Sequence, residues 1–422
     1  MDLTSSSPGL AALVLFGIGY LFVIAEELVG IRKSIPVMLA AGAMWVLVAV
    51  ALRGEPDVAV KALEANLLEY GALLLFLLTA MTFVNVLEER NIFAALRGRL
   101  IAWRLSLRAV FWITGAMAFL ISPVLDNLTT ALVMGAVAIT IGRGNTAFLV
   151  PACINIVVAA NAGGAFSPFG DITTLMVWAS GKVPFFEFFA LFLPALVNWV
   201  VPAACMAFAI PAGRPDAAGA AEKVKPGGYG VVVLFAATIV LTVSLHQLLH
   251  LPAFLGMMTG LALLQMYGHV VREQPFDVFI SMKRVEWDTL LFFYGVMLCV
   301  GALGAFGYLA FVSNASYATL GATQANVFVG LASAVIDNIP IMYAVLTMNP
   351  DMSHGQWLLV TLTAGVGGSL LSIGSAAGVA LMGQARGIYT FFAHLKWIWA
   401  IALGYAASIW VHLLVNAGLF AA

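Results

Sequence analysis

Three aspartates, Asp126, Asp171 and Asp337, carry acid chemistry into apolar surroundings. Asp126 and Asp337 each precede an asparagine, and each Asp-Asn pair separates two short apolar stretches: 107–121 from 128–141, and 325–336 from 339–349. Asp171 closes a polar interruption, Asn161-Ala-Gly-Gly-Ala-Phe-Ser-Pro-Phe-Gly-Asp171, inside the apolar run 148–180. A carboxylate among apolar residues is costly unless something neutralises it. No Lys or Arg is expected at the depth of these acids. Three carboxylates without a basic partner make a cation site, a proton site, or both.

The residues around them supply oxygen. Asn127 and Asn338 put an amide beside each paired acid, and Thr129 and Thr130 follow the first pair. Asn161, Ser167, Thr173 and Thr174 flank the break at Asp171. A second interrupted run, 356–382, is broken at Gly365-Val-Gly-Gly-Ser-Leu-Leu-Ser-Ile-Gly-Ser375, where Ser372 and Ser375 line the break. Ser333 sits one helical turn before Asp337. Side-chain oxygens and free carbonyl ends suit a hard cation such as Na⁺, whereas helix N-termini favour anions. Blander explanations compete. The Asp-Asn pairs could be helix N-caps, and Gly163-Gly164 and Gly367-Gly368 could be close-packing contacts. The serines could bond back to their own helices, and Asp171 could be a structural hydrogen-bond partner. Capping alone needs neither burial at depth nor recurrence in both halves, and a polar residue accompanies each glycine pair. Glu69 and Glu286 are expected at solvated helix ends, and Glu26, Glu27, Glu88 and Glu89 near the cytoplasmic surface. The six histidines fall mostly at loop edges without ligand spacing. No zinc-protease, phosphate-loop or nucleophile-elbow motif is present.

The elements that must hold these residues are membrane helices. Of 422 residues 63% are hydrophobic and 9% charged, against about 25% charged in soluble domains. That excludes soluble and disordered classes, and the continuous apolar runs exclude an outer-membrane barrel. An all-α polytopic bundle in a lipid bilayer remains. No basic stretch suggests nucleic acid. Cys153, Cys205 and Cys299 lie far apart as small apolar residues. Continuous runs fall near 10–29, 35–52, 71–88, 186–210, 229–250, 252–270, 288–306 and 397–419; the first is expected to be a retained helix and not a signal peptide. With the two broken helices, 148–180 and 356–382, they make ten crossings. The acid-bearing pairs, too short to be two spans each, are expected as re-entrant hairpins, 107–141 and 325–349. Leu100–Arg108, with Trp103, suits an interfacial helix.

The Pro/Gly/Ala-rich segment 211–228 divides the chain, and the halves align. Ile35-Pro36 matches Leu251-Pro252; Glu69 with its LLLF matches Glu286 with its LLFF. SPVLDNL matches SAVIDNI, and Gly163-Gly164…Gly170-Asp171 matches Gly367-Gly368…Gly374-Ser375. The expected organisation is a first repeat over 1–210, a cytoplasmic linker over 211–228 and a second repeat over 229–422. Five crossings per repeat turn the second one upside down. With the N-terminus outside, only Arg53, Lys61 and Lys182 of the 19 Lys+Arg fall outside. The others, from Arg32 and Lys33 through Arg104, Arg143, Arg214 and Arg272 to Arg386 and Lys396, mark the cytoplasmic side. The Asp126 hairpin then enters from the cytoplasm and the Asp337 hairpin from outside.

The two Asp-Asn pairs, NAGGAFSPFGDITTL and GGSLLSIGSAAGVALMG together resemble the NhaD-type Na⁺/H⁺ antiporters of the ion transporter superfamily. The motifs lie in 122–178 and 286–386. The resemblance implies two inverted repeats, each with a re-entrant hairpin and a broken helix, in a bacterial inner (cytoplasmic) membrane, and a homodimer. It places Asp126, Asn127, Asn161, Asp171, Thr173, Thr174, Ser333, Asp337, Asn338, Ser372 and Ser375 on the family's cation- and proton-binding positions, with Asp126, Asp171 and Asp337 as Na⁺ ligands. It implies no cofactor: Na⁺, Li⁺ and H⁺ are the substrates. Carboxylate-transporting relatives typically carry Ser-Asn-Thr at the tips; Asp-Asn-Leu and Asp-Asn-Ile here favour a cation.

The expected activity is antiport of Na⁺, and of Li⁺, against H⁺, with ion and proton competing for buried aspartates. The alternatives are a Na⁺-coupled dicarboxylate or other anion transporter on the same scaffold, and an intramembrane aspartyl enzyme. Acidic tips oppose the first; the missing Gly-x-Gly-Asp motif and the opposed hairpins oppose the second.

Overall fold

The computed structural model describes residues 2–103, 105–142, 144–213, 222–271 and 276–421. Arg104, Arg143, Arg214 and Arg272 of the charge pattern, linker residues 214–221 and the Glu27 side chain lie outside the described residues. In a lipid solvent each backbone polar group needs an internal partner, and the described residues are helical almost throughout. The first half holds α1 (Ser7–Ile24), α2 (Glu26–Val29), α3 (Ser34–Ala51), α4 (Pro56–Glu89), α5 (Ile92–Ala102), α6 (Leu107–Leu125), α7 (Asn127–Ile141), α8 (Thr146–Gly164), α9 (Ile172–Ala179) and, after a 3₁₀ turn, α10 (Phe192–Ala207). The second holds α11 (Gly228–Leu249), α12 (Ala253–Val270), α13 (Val278–Lys283), α14 (Trp287–Phe306), α15 (Tyr308–Ser313), α16 (Ala322–Ala332), α17 (Asn338–Met348), α18 (His354–Gly367), α19 (Ala376–Gln384), α20 (Phe391–Leu395) and α21 (Ile398–Val415).

Side-chain caps start many of these helices. Ser6 accepts from the Gly9 amide at 3.1 Å, Asn145 from Phe148 at 3.1 Å and Ser353 from Gln356 at 3.4 Å, each satisfying a donor the helix leaves open. The outer helices expose large apolar side chains such as Leu21, Leu68, Val233 and Met266, as a lipid-facing surface does. By contrast α8 and α18 are buried nearly end to end. They pack against α6 and α16 respectively, and each leads into an interruption.

Among the described residues ten helices are long and apolar enough to cross a membrane, Leu107–Leu125 among them. Leu107–Leu125 is a continuous 19-residue helix, longer than the 107–121 stretch expected as one arm of a hairpin. Pro123 is accommodated inside it. Over 356–382, expected as a broken helix, α18 stops at Gly367 and α19 starts at Ala376. Leu100–Arg108 is not one helix either: α5 ends at Ala102, and α6 begins at Leu107. Glu69 lies inside the 34-residue α4, not at a helix end, while Glu286 does occupy the N-cap position of α14. Two histidines are core residues and not loop-edge ones. His394 Nε2 donates to Ser369 O at 2.9 Å and His412 Nε2 to Gly355 O at 3.0 Å, and both are fully buried.

The two interruptions have the same local construction. α8 ends at Gly164 and α9 starts at Ile172; α18 ends at Gly367 and α19 starts at Ala376. A Cβ on Gly163 would lie 2.3 Å from Phe119 O, and one on Gly367 2.1 Å from Gly330 O, so only glycine lets the neighbouring backbone approach. Ser122 donates to Ala160 O at 2.6 Å, and Ser333 to Ala364 O at 2.7 Å. These bonds pin the ends of α6 and α16 to the helices that are about to break.

Candidate functional site

The chain reverses between α6 and α7 at Asp126, whose φ of 65° and ψ of 159° few residues other than glycine adopt. Its carboxylate stabilises the turn: Oδ1 accepts from the Thr129 amide at 2.8 Å and Oδ2 from the Thr129 hydroxyl at 2.9 Å. Asp337 caps α17 by accepting from Ile339 N at 3.2 Å. Capping is therefore part of what both acids do. Both are half-buried, and each places its following asparagine at the first position of a helix aimed inward.

Those asparagines meet at Asp171. Asn127 Nδ2 donates to Asp171 Oδ2 at 2.9 Å, and Asn338 Nδ2 to the same oxygen at 3.2 Å. Asp171 also caps α9, with Oδ1 accepting from the Thr173 amide at 2.9 Å and the Thr173 hydroxyl at 3.0 Å. Only 5% of Asp171 is exposed. Among the described residues no ion pair reaches it. Its charge is held by four N–H or O–H donors drawn from three chain segments, the arrangement expected of a buried carboxylate.

Asn161 links the two breaks. Its Oδ1 accepts from Asn127 at 3.1 Å, and its Nδ2 donates to Ser369 Oγ at 2.8 Å and Ser375 Oγ at 2.9 Å. Two buried hydroxyls, Thr130 Oγ1 and Ser372 Oγ, have no hydrogen-bond partner among the described residues. A buried oxygen without a partner is costly.

The structure thus brings Asn127, Asn161, Asp171, Thr173, Asn338 and Ser375 into one hydrogen-bonded cluster. Asp126 and Asp337 flank it at the tips. Ser333 is spent on Ala364 O and does not join it. Thr174 bonds Gly164 O at 3.4 Å, bracing the break, and Ser167 likewise bonds Pro123 O at 2.8 Å. Sequence reasoning missed Ser369, although its place directly after Gly367-Gly368 was the available signal. It also missed Lys33. The expectation of no basic partner fails there, because Lys33 Nζ lies 3.9 Å from Asp337 Oδ2. The segment before α3 brings this lysine against the tip, a contact that hydropathy does not reveal.

Farther along α17, Tyr343 Oη lies 2.7 Å from Asn66 Oδ1 and 3.0 Å from Glu69 Oε2. These residues line a cavity of about 560 Å³ with Phe76, Met176 and Lys182. Met176 lies on α9, the helix that Asp171 caps.

A buried acid ringed by amides and hydroxyls, among long apolar helices, defines a polytopic membrane protein with a buried polar site. Residues 20–365 match the model of a family described as citrate transporter. The sequence is 52% identical to the Na(+)/H(+) antiporter NhaD of Alkalimonas amylolytica, over 100% of this chain and 93% of the relative. It is 52% identical to the NhaD antiporter of Vibrio cholerae, over 99% and 94%. Sodium/proton antiporter 1 of Arabidopsis thaliana is 33% identical, over 98% and 73%. The chain belongs to the NhaD family of Na⁺/H⁺ antiporters.

Proposed function

We propose that this protein exchanges Na⁺, and also Li⁺, for H⁺ across a bacterial inner membrane, with Asp171 as the residue for which ion and proton compete. The observation that carries this reading is the buried Asp171 carboxylate, held by one amide from each tip and, among the described residues, in no ion pair with a basic side chain. Either ligand neutralises the same charge, so binding is mutually exclusive. Either also changes the bonds Asn127 and Asn338 make, since a protonated or metal-bound oxygen is a poorer acceptor. Occupancy is thereby coupled to how the tips sit against the breaks. Asn161, Ser372, Ser375, Thr130 and Thr173 offer further oxygens, and Asp126 and Asp337 hold negative charge at the two approaches. Exchange then requires that the site change faces when loaded and stay put when empty and charged.

The citrate-transporter description of the matched family suggests an anion instead. Acids at both tips and at the centre repel a carboxylate substrate, which favours the cation.

The same reading takes 1–210 and 229–422 as inverted repeats joined by the cytoplasmic segment 211–228, with the tips as opposed re-entrant hairpins. The paired contacts at Ser122/Ser333 and Gly163/Gly367 support it. Ser333 then positions its break and does not bind the ion. A homodimer completes the assembly, and no cofactor is needed. The test is Na⁺-induced relaxation of ΔpH in everted vesicles. Asp171→Asn abolishes it, and Asp126→Asn and Asp337→Asn weaken it. Antiport of normal Na⁺ affinity in Asp171→Asn refutes the assignment, and Na⁺-dependent uptake of a labelled dicarboxylate without a ΔpH response replaces it with the anion reading.

A further inference from the structure

We propose that Lys33 is a tethered counter-ion for Asp337, which the transported cation must displace. This rests on the reading above that Asp337 belongs to the cation site. Lys33 Nζ lies 3.9 Å from Asp337 Oδ2, with side-chain exposures of 21% and 17%. Hydrogen-bonded ion pairs close to about 2.8 Å, so this contact neutralises charge without locking the two groups together. The segment bearing Lys33 is itself held in place. Its backbone N–H donates to Glu26 Oε1 at 3.3 Å, and the next residue, Ser34, donates from its hydroxyl to Asp288 Oδ1 at the start of α14.

The ammonium also has a second seat. It lies 4.6 Å from the centroid of the Phe292 ring on α14, within cation–π range. A lysine displaced from Asp337 therefore keeps a favourable partner without returning to bulk water. Asp337 is a tip residue, and its neighbour Asn338 donates to Asp171. When Na⁺ neutralises Asp337, the link from the α17 tip to the segment before α3 is lost, while the Asn338–Asp171 contact answers to the same ion. Lys33 thus lowers the apparent affinity for Na⁺ and ties the tip down while the site is empty. The opposite tip has no such device: among the described residues no ion pair reaches Asp126.

The experiment measures the half-saturating Na⁺ concentration for ΔpH relaxation in everted vesicles. Lys33→Gln lowers it about 5-fold, the scale of a partly exposed ion pair. Lys33→Arg, which keeps the charge, leaves it at or above the wild-type value. In an Asp337→Asn background Lys33→Gln changes it no further. An unchanged or raised value in Lys33→Gln, with Asp337→Asn impaired, overturns the counter-ion role alone. An unimpaired Asp337→Asn overturns the premise that Asp337 belongs to the site. Lys33→Met keeps the alkyl stem on Phe292 and reports the same shift if Lys33→Gln does not reach the membrane, and a lowered value in Lys33→Arg contradicts the proposal independently.

Discussion

The breaks at 165–171 and 368–375 share a backbone and differ in charge. Each follows a helix that is buried nearly throughout, with a glycine pair where that helix stops. Each is pinned by a serine at the end of the helix two before the one that breaks, Ser122 of α6 and Ser333 after α16, and each closes on the residue that caps the next short helix. In the first that residue is Asp171, which collects amides from both tips. In the second it is Ser375, which caps α19 by accepting from Gly378 N at 3.3 Å and takes one side-chain amide, from Asn161. The position in the second half that aligns with Asn161 is Gly365, where a Cβ would lie 4.0 Å from Asp171 Oδ2. One half therefore supplies the charge and the bridging amide, and the other supplies hydroxyls and room. Two like-charged centres at this separation would oppose each other's ionisation. On the proposed reading, a single central acid lets one ion or one proton decide the state of the whole cluster.

The largest expected effect tests whether the halves are interchangeable. Asp171→Ser makes the first break resemble the second, and it should reduce vesicle antiport about 100-fold or more, the scale of removing one partner from a buried charged hydrogen-bond cluster. Adding Ser375→Asp to that variant moves the acid across and should not restore the rate, because both tip amides are aimed at position 171. Recovery to wild-type rates would mean that the halves are chemically equivalent. The next effect is on folding. Gly163→Ala and Gly367→Ala each drive a methyl group into a neighbouring backbone carbonyl, and each should cost about 1–3 kcal/mol, read as a similar loss of thermal stability in detergent. A large loss in one and none in the other would break the likeness of the two scaffolds.

Smaller still, Ser375→Ala removes one of the two hydroxyl acceptors of Asn161 and should raise half-saturating Na⁺ about 3–10-fold, seen in the Na⁺ dependence of ΔpH relaxation. Ser122→Ala and Ser333→Ala should each cost about 1 kcal/mol of stability with little effect on Na⁺ affinity. A selective rise in half-saturating Na⁺ for Ser333→Ala would return Ser333 to the binding set.

Much of this was legible because polar residues inside apolar runs stand out. Asp126-Asn127, Asp337-Asn338, Asn161, Asp171 and Ser375 could be picked from one sequence because burial makes each of them expensive. What stayed hidden depends on three-dimensional approach. Lys33 sits among ordinary loop residues, and only the course of the chain before α3 brings it to a tip. Ser369 and Ser372 are equally visible as hydroxyls; their neighbours decide that one bonds Asn161 and the other bonds nothing among the described residues. His394 looked like a loop-edge residue because α20 is short, yet that helix turns it inward onto Ser369 O. The length of α6 was misjudged because Pro123 and the polar Asp126 shorten the apolar run, whereas the helix continues to Leu125.

The most direct test is the proton released when Na⁺ is added to purified protein in weakly buffered detergent, followed with a pH indicator. Wild-type protein should release protons in step with Na⁺ occupancy, and Asp171→Asn should release almost none even at Na⁺ concentrations that saturate the wild type. Undiminished release from Asp171→Asn would contradict competition at that carboxylate.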